Sequence, residues 1–214
     1  MDQGRLSRNL DGVRSRIEAA CRRAERDPAG VTLMVVTKSV PAECIPPLAS
    51  LGISEIGENR PVEALDRVGK LSQFRRHMIG HLQTNKVKKA LEWADAIHSV
   101  DRPSLLAELA KHNKKPPVFV QVNVSGEASK GGYVAADAEE AVREARRTHE
   151  VLGLMTMAPR GGDARTCFRT LRELGGRCGV SGLSMGMTED FEAAVEEGAT
   201  IVRIGSAIFE GVLV

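Results

Sequence analysis

The chain has 214 residues, which at roughly 100–200 residues per domain makes one domain with a sizeable core. Hydrophobic residues make up 42% and charged residues 27%, which excludes wholesale disorder. With 30 basic against 28 acidic side chains and only five Phe, one Trp and one Tyr, neither nucleic acid as the main partner nor a stacking platform for single strands is expected.

The first 26 residues are charged throughout and lack the apolar stretch of a signal peptide. They place Leu6, Leu10, Val13 and Ile17 at helical spacing, and an N-terminal helix over 1–28 is expected to pack on the rest of the chain. No apolar run approaches the ~18–20 residues of a bilayer span, so no membrane partner is expected. Cys21, Cys44, Cys167 and Cys178 show no Cys-x-x-Cys spacing and read as reduced, inert thiols of a cytoplasmic protein.

Short β-branched runs then begin near Val31 (VTLMVVTK), Ile53 (ISEIGEN), Arg75 (RRHMIG), Ala96 (AIHSVD), Pro117 (PVFVQVNVS), Glu150 (EVLGLMTMAP), Gly182 (GLSMGM) and Thr200 (TIVRIGSAIF). Several are apolar without alternation, as strands buried on both faces must be. Helical patterns lie between them. Residues 41–51 open with Pro41 and stop at Gly52. Segment 134–148 is rich in helix formers, 163–175 runs from Asp to Gly, and 188–198 runs from Thr188 to Gly198. Eight strands alternating with helices predict a parallel α/β fold, a single-domain (β/α)8 barrel over 1–214. The doubly wound open sheet is the alternative, but its Gly-x-Gly-x-x-Gly turn is absent after the first strand.

A barrel of this kind carries its site at the C-terminal ends of its strands. Those ends hold Lys38, Glu58 and Asn59, His81, His98 and Asp101, Asn123 and Ser125, Met155 and Thr156, Ser184 to Met187, and Arg203 to Ser206. Lys38 ends an apolar strand. It is either a solvent-facing lysine or, if it turns inward and loses hydration, an amine of lowered pKa that attacks aldehydes. The small residues around Gly186 and Gly205 either make turns or let backbone N–H groups approach a phosphate. Arg203 is a lone charge inside VRIG and needs a partner, a core carboxylate or a ligand. Glu58-Asn59 either meets a ligand or caps the next helix. His77, His81 and His98 lack metal-ligand spacing and read as structural or surface residues. The basic stretch 70–89 is a solvated face, an anion attractor at the site mouth, or an RNA contact.

The segments VTK, EIGENR, HMIGHLQTNK, HSVD, VQVNVS, GLMTMAP and LSMGMTEDFEAAVEEGATIVRIGSAIF, in this order and spacing, resemble the pyridoxal phosphate homeostasis proteins from about Val31 to Phe209. More distantly they are similar to the barrel domain of bacterial alanine racemase. The resemblance implies a barrel of the alanine racemase N-terminal-domain type that holds pyridoxal 5′-phosphate (PLP) as a Schiff base on Lys38. It implies a phosphate-binding Ser184, a backbone clamp at Gly205 and Ser206, Arg203 facing the pyridine nitrogen and Asn59 beside the cofactor, with Met155 and Met185 lining the pocket. Arg60-Pro61 departs from the aromatic-Val that follows GEN in the family, and Ser206 stands for the commoner Thr.

The function so implied is buffering and delivery of PLP by a non-catalytic monomer, with transient contact to PLP-dependent enzymes. The sequence runs five residues past Phe209, and no second domain that would supply another proton-transfer group is expected. A one-domain amino-acid racemase is the competing reading, with Tyr133, the only tyrosine, as its candidate base. A phosphate-binding barrel that meets RNA through 70–89 is the third.

Overall fold

The computed structural model describes residues 1–127, 130–159 and 161–213. Ala128 and Ser129 of the SGEASKGG loop, Arg160 and Val214 lie outside the described residues. The strands are β1 (Thr32–Val36), β2 (Glu55–Glu58), β3 (Arg75–Met78), β4 (Ala96–Val100), β5 (Val118–Asn123), β6 (Tyr133–Val134), β7 (Val151–Met155), β8 (Gly182–Ser184) and β9 (Ile201–Ile204). They pair in the order β4-β3-β2-β1-β9-β8-β7-β5, and β4 also pairs with β5, so eight parallel strands close into a barrel. These are the eight runs picked out by their β-branched content. The short β6 lies beside β5 outside the closed ring. The helices are α1 (Gln3–Arg23), α2 (Pro61–Val68), α3 (Val87–Trp93), α4 (Pro103–Ala110), α5 (Ala138–Arg146), α6 (Ala164–Cys178), α7 (Phe191–Glu196) and α8 (Ser206–Phe209).

Alternation along each strand sorts its side chains into two cores. Val35, Ile56, Met78, Ile97, Val120, Leu154, Leu183 and Val202 face outward and join the helices in one apolar cluster. The opposite set, Met34, Gly57, His77, His98, Phe119, Gln121, Gly153, Met155, Ser184 and Arg203, falls in the lumen, where parallel partners share a face: Gly57 beside His77, Met155 beside Ser184, Arg203 beside Met34. Two lumen glycines are sterically required. A Cβ on Gly182 would lie 2.2 Å from the Leu152 carbonyl oxygen and 3.1 Å from the Phe119 ring. One on Gly153 would lie 1.8 Å from the Gly182 oxygen. The space so spared lets the Phe119 ring stack on His98 at 4.2 Å between centroids.

Helix α1 buries Leu6, Leu10, Val13 and Ile17, and Arg16 lies over the Phe191 ring of α7 at 4.5 Å. Three helical expectations shift. Segment 41–51 is a pair of short 3-10 turns, Ala42–Cys44 and Pro46–Leu51, because Pro46 and Pro47 cannot donate the bonds of an α-turn. It still ends at Gly52, in the left-handed region at φ 73°. The 188–198 helix starts only at Phe191, since Asp190 Oδ1 accepts from the Met187 N–H and holds residues 188–190 as a turn. Helix α6 runs through Gly175 to Cys178 because Leu171, Leu174 and Cys178 continue its buried face.

These contrasts set a stability test. Gly182→Ala forces a backbone clash inside the barrel and is expected to lower stability by more than about 3 kcal/mol or abolish soluble protein. Gly12→Ala, on the exposed face of α1 with nothing within 4 Å, should raise it by about 0.5–1 kcal/mol, read from urea midpoints.

Candidate functional site

The C-terminal ends of the strands open on a cavity of about 1340 Å³ whose wall includes Lys38, Asn59, His81, Arg203, Gly205 and Ser206. Lys38 sits two residues beyond β1, exposed on the wall instead of enclosed in the lumen. Its position is set by a clasp that sequence reasoning missed. Arg67 of α2 donates Nη2 to the carbonyls of Thr37 at 2.7 Å and Val40 at 2.5 Å, bracketing Lys38. Thr37 Oγ1 donates to Glu58 Oε1 at 2.7 Å, and the same carboxylate faces Arg67 Nε at 3.4 Å. Glu58 is therefore buried and spent on this clasp, and of the Glu58-Asn59 pair only Asn59 reaches the cavity. The loop after β3 presses on Asn59, where a Cβ on Gly80 would lie 2.3 Å from the Asn59 oxygen.

Arg203 points from β9 into the lumen and is almost fully buried. Its Nη1 donates to Ser184 Oγ at 2.7 Å and its Nη2 to the Thr156 carbonyl at 2.9 Å. Burial pulls its pKa down to about 10, with Asp190 acting in the opposite direction, so it stays a cation at neutral pH.

Three of the expected site residues lie off the cavity wall. Ser184 is fully buried beneath Arg203, its hydroxyl occupied by Arg203 and His98, and it is not among the residues of the cavity wall. The hydroxyl that does stand on the wall is Thr188, which accepts from Ser206 Oγ at 3.0 Å. Met185 faces the helices in the outer core and Met155 is buried in the lumen, whereas Met157 and Met187, beyond the strand ends, line the cavity. The signal for Thr188 lay in its place directly after the Gly186-Met187 turn.

His81, read as structural or surface, also lines the cavity, its Nδ1 held at 2.9 Å by Asp101, which is itself buried and gripped by Arg102. His77 and His98 are buried in the lumen. Asn123 braces its own loop through the carbonyls of Glu127 and Lys130. Within the basic stretch, Arg76 is paired in bidentate fashion with Asp95. All four cysteines are buried and free. Among the described residues no His, Cys, Asp and Glu cluster could hold a metal ion, and no helix is long and apolar enough to cross a membrane.

The model of the alanine racemase N-terminal domain matches residues 8–211. The pyridoxal phosphate homeostasis protein of Aquifex aeolicus is 40% identical over 222 residues, covering 96% of both chains. That of Escherichia coli is 33% identical over 95% of each. The chain belongs to this family. PipY of Synechococcus elongatus, solved with PLP bound, superposes with a TM-score of 0.80 at 29% identity, covering 95% of this chain and 99% of that one. Alanine racemase from Corynebacterium glutamicum shares the fold at a TM-score of 0.69 and 16% identity, with 94% of this chain matching 60% of the longer enzyme. The barrel is thus of the alanine racemase N-terminal type, as the strand-end motifs indicated.

Tyr133 offers a check on the electrostatics beside Asp101. Burial, reinforced by the Asp101 carboxylate, pushes its phenol up to about 12. Because the unfolded chain loses this proton first, at about pH 10, stability should fall as pH rises from about 10 to 12. Ultraviolet titration of this single tyrosine should show the late ionisation, and Asp101→Asn should move it down while leaving it above the ordinary value.

Proposed function

We propose that the chain binds pyridoxal 5′-phosphate in this cavity and serves the cell's homeostasis of that cofactor, holding it and passing it on without turning over a substrate of its own. The observation that carries this reading is one cavity lined by a primary amine, a hydroxyl pair beside a glycine and a fixed guanidinium, in a fold shared over its full length with PipY, whose structure has PLP bound. The name of the related proteins supports the homeostasis role over the racemase alternative.

The donor set fits the group. Lys38 supplies the amine for the covalent link, and the Thr37–Glu58–Arg67 clasp holds its backbone still. Thr188 and Ser206 supply hydroxyls for the phosphate. Gly205 lets the backbone come close, since a Cβ there would already lie 3.0 Å from the Val36 oxygen. The leading N–H groups of α8 have no partner within the helix and add donors. Asn59 lies on the wall between β2 and the loop after β3. Ser184, in this reading, holds Arg203 and does not touch the phosphate.

When bound, PLP supplies an aldehyde that amines attack reversibly and a ring that draws electrons most strongly once its nitrogen is protonated. Arg203 can donate a hydrogen bond but gives up no proton at neutral pH. It leaves a ring nitrogen facing it unprotonated and the electron sink weak, which suits storage better than carbanion chemistry. Tyr133 is half-buried and kept neutral, a poor proton acceptor for racemisation. The cytoplasm is the compartment that buried free thiols and a PLP-handling role fit best. A monomer that meets PLP-dependent enzymes in passing completes the proposal.

Added PLP should give a visible absorption band that Lys38→Ala abolishes. Thr188→Val with Ser206→Ala should weaken PLP at least about tenfold, by the loss of charge-assisted hydrogen bonds, while pyridoxal without its phosphate changes less than about twofold. Equal loss for both ligands contradicts the phosphate assignment. The loaded protein should exchange the α-proton of neither D- nor L-amino acids with deuterated solvent, and turnover at about 1 s⁻¹ or faster overturns the non-catalytic reading.

A further inference from the structure

Arg203 places a positive charge in the lumen, yet neither of its hydrogen-bond partners, Ser184 Oγ and the Thr156 carbonyl, is a carboxylate. The contacts of the hydroxyl continue across the barrel. Ser184 Oγ lies 2.9 Å from His98 Nδ1, His98 Nε2 lies 2.8 Å from His77 Nδ1, and His77 Nε2 meets the carboxylate of Glu55 at the start of β2. The line passes through β9, β8, β4, β3 and β2, and the two histidines and the serine in it are buried.

The chemistry of the groups sets its direction. Arginine only donates and an ionised carboxylate only accepts. If Ser184 takes a hydrogen from Arg203 and spends its own on His98 Nδ1, then His98 carries its hydrogen on Nε2 and gives it to His77 Nδ1. His77 in turn gives its Nε2 hydrogen to Glu55. Every hydrogen is used once and both rings are neutral. The opposite order makes His77 doubly protonated and points His98 Nδ1–H at Ser184. It strands the serine hydrogen in a buried site and adds a second cation to the lumen, both costly. His98 is faced by His77 and Arg75 of β3 and Arg203 of β9, and it stacks on Phe119 of β5. Burial, with the Arg203 and Arg75 charges adding to it, holds its pKa well below the usual histidine range, in keeping with a neutral His98 ring.

We infer that Glu55, His77, His98 and Ser184 are positioning residues for Arg203, a one-way hydrogen-bond chain that links its charge to a carboxylate across the lumen and fixes which of its N–H groups face the cavity. Its effect on a bound ring rests on the PLP reading above; its direction does not.

The direction is measured on the ligand-free full-length protein, labelled with ¹⁵N-histidine, by long-range proton–nitrogen correlation spectra from about pH 5 to pH 8, the window in which an ordinary histidine changes charge. The expected result is His98 neutral throughout, with its hydrogen on Nε2, slow to exchange and given to His77 Nδ1. An Nδ1–H tautomer at His98 overturns the inference. The effect is then read on the PLP-loaded protein by the pH titration of its visible band. Ser184→Ala and His98→Phe should shift the midpoint in the same direction by at least about half a unit, a threefold change in the proton equilibrium. Ser99→Ala, which removes a buried hydroxyl on the same strand as His98 that has no partner among the described residues, should leave it in place. Loaded variants with an unmoved midpoint overturn the positioning role. If the variants do not fold, the tautomers of the unaltered protein decide the matter, and a wild-type protein that shows no visible band refutes the PLP reading without touching that result.

Discussion

A guanidinium enclosed in the lumen of a parallel barrel is the constraint on which the rest of this structure turns. A buried cation is tolerated only when its hydrogens are used and its charge is answered. Arg203 places two of its five N–H groups on Ser184 and the Thr156 carbonyl. Its charge is opposed by Asp190, and a line of hydrogen-bonded polar groups crosses from β8 to β2 to end on Glu55. The lumen therefore holds a polar line where most small barrels hold branched aliphatics. Gly182 leaves room for the Phe119 ring, which seals one side of His98.

The cavity above that line is assembled from residues that follow the strands. Lys38 follows β1, Asn59 follows β2, His81 comes from the loop after β3, and Gly205 and Ser206 follow β9. Each is exact in place because a neighbour grips its backbone or its ring: Arg67 on either side of Lys38, Gly80 against Asn59, Asp101 on His81.

Much of this was legible in the sequence because strands buried on both faces announce themselves as apolar runs, and because strand-end motifs name the residues at the mouth. What escaped depended on partners far away along the chain. His98 and Ser184 are 86 positions apart, and nothing local to either indicates that they meet across the lumen. Where β8 ends decides the placement of two hydroxyls: Ser184 within the strand points into the lumen under Arg203, while Thr188 four residues on stands in the cavity. Met155 and Met185 are buried in the same way, and Met157 and Met187 stand on the wall. Pro46 and Pro47 broke an expected helix by removing N–H donors, a cue that the Pro-in, Gly-out pattern of 41–51 concealed.

The central claim is that one amine, Lys38, forms the covalent link to PLP. Reducing the loaded protein with borohydride and mapping the adduct by peptide mass spectrometry tests it most directly. The account predicts a single modified peptide, the one containing Lys38. Adducts spread over surface lysines such as Lys70, Lys88 and Lys89, with Lys38 unmodified, would contradict it.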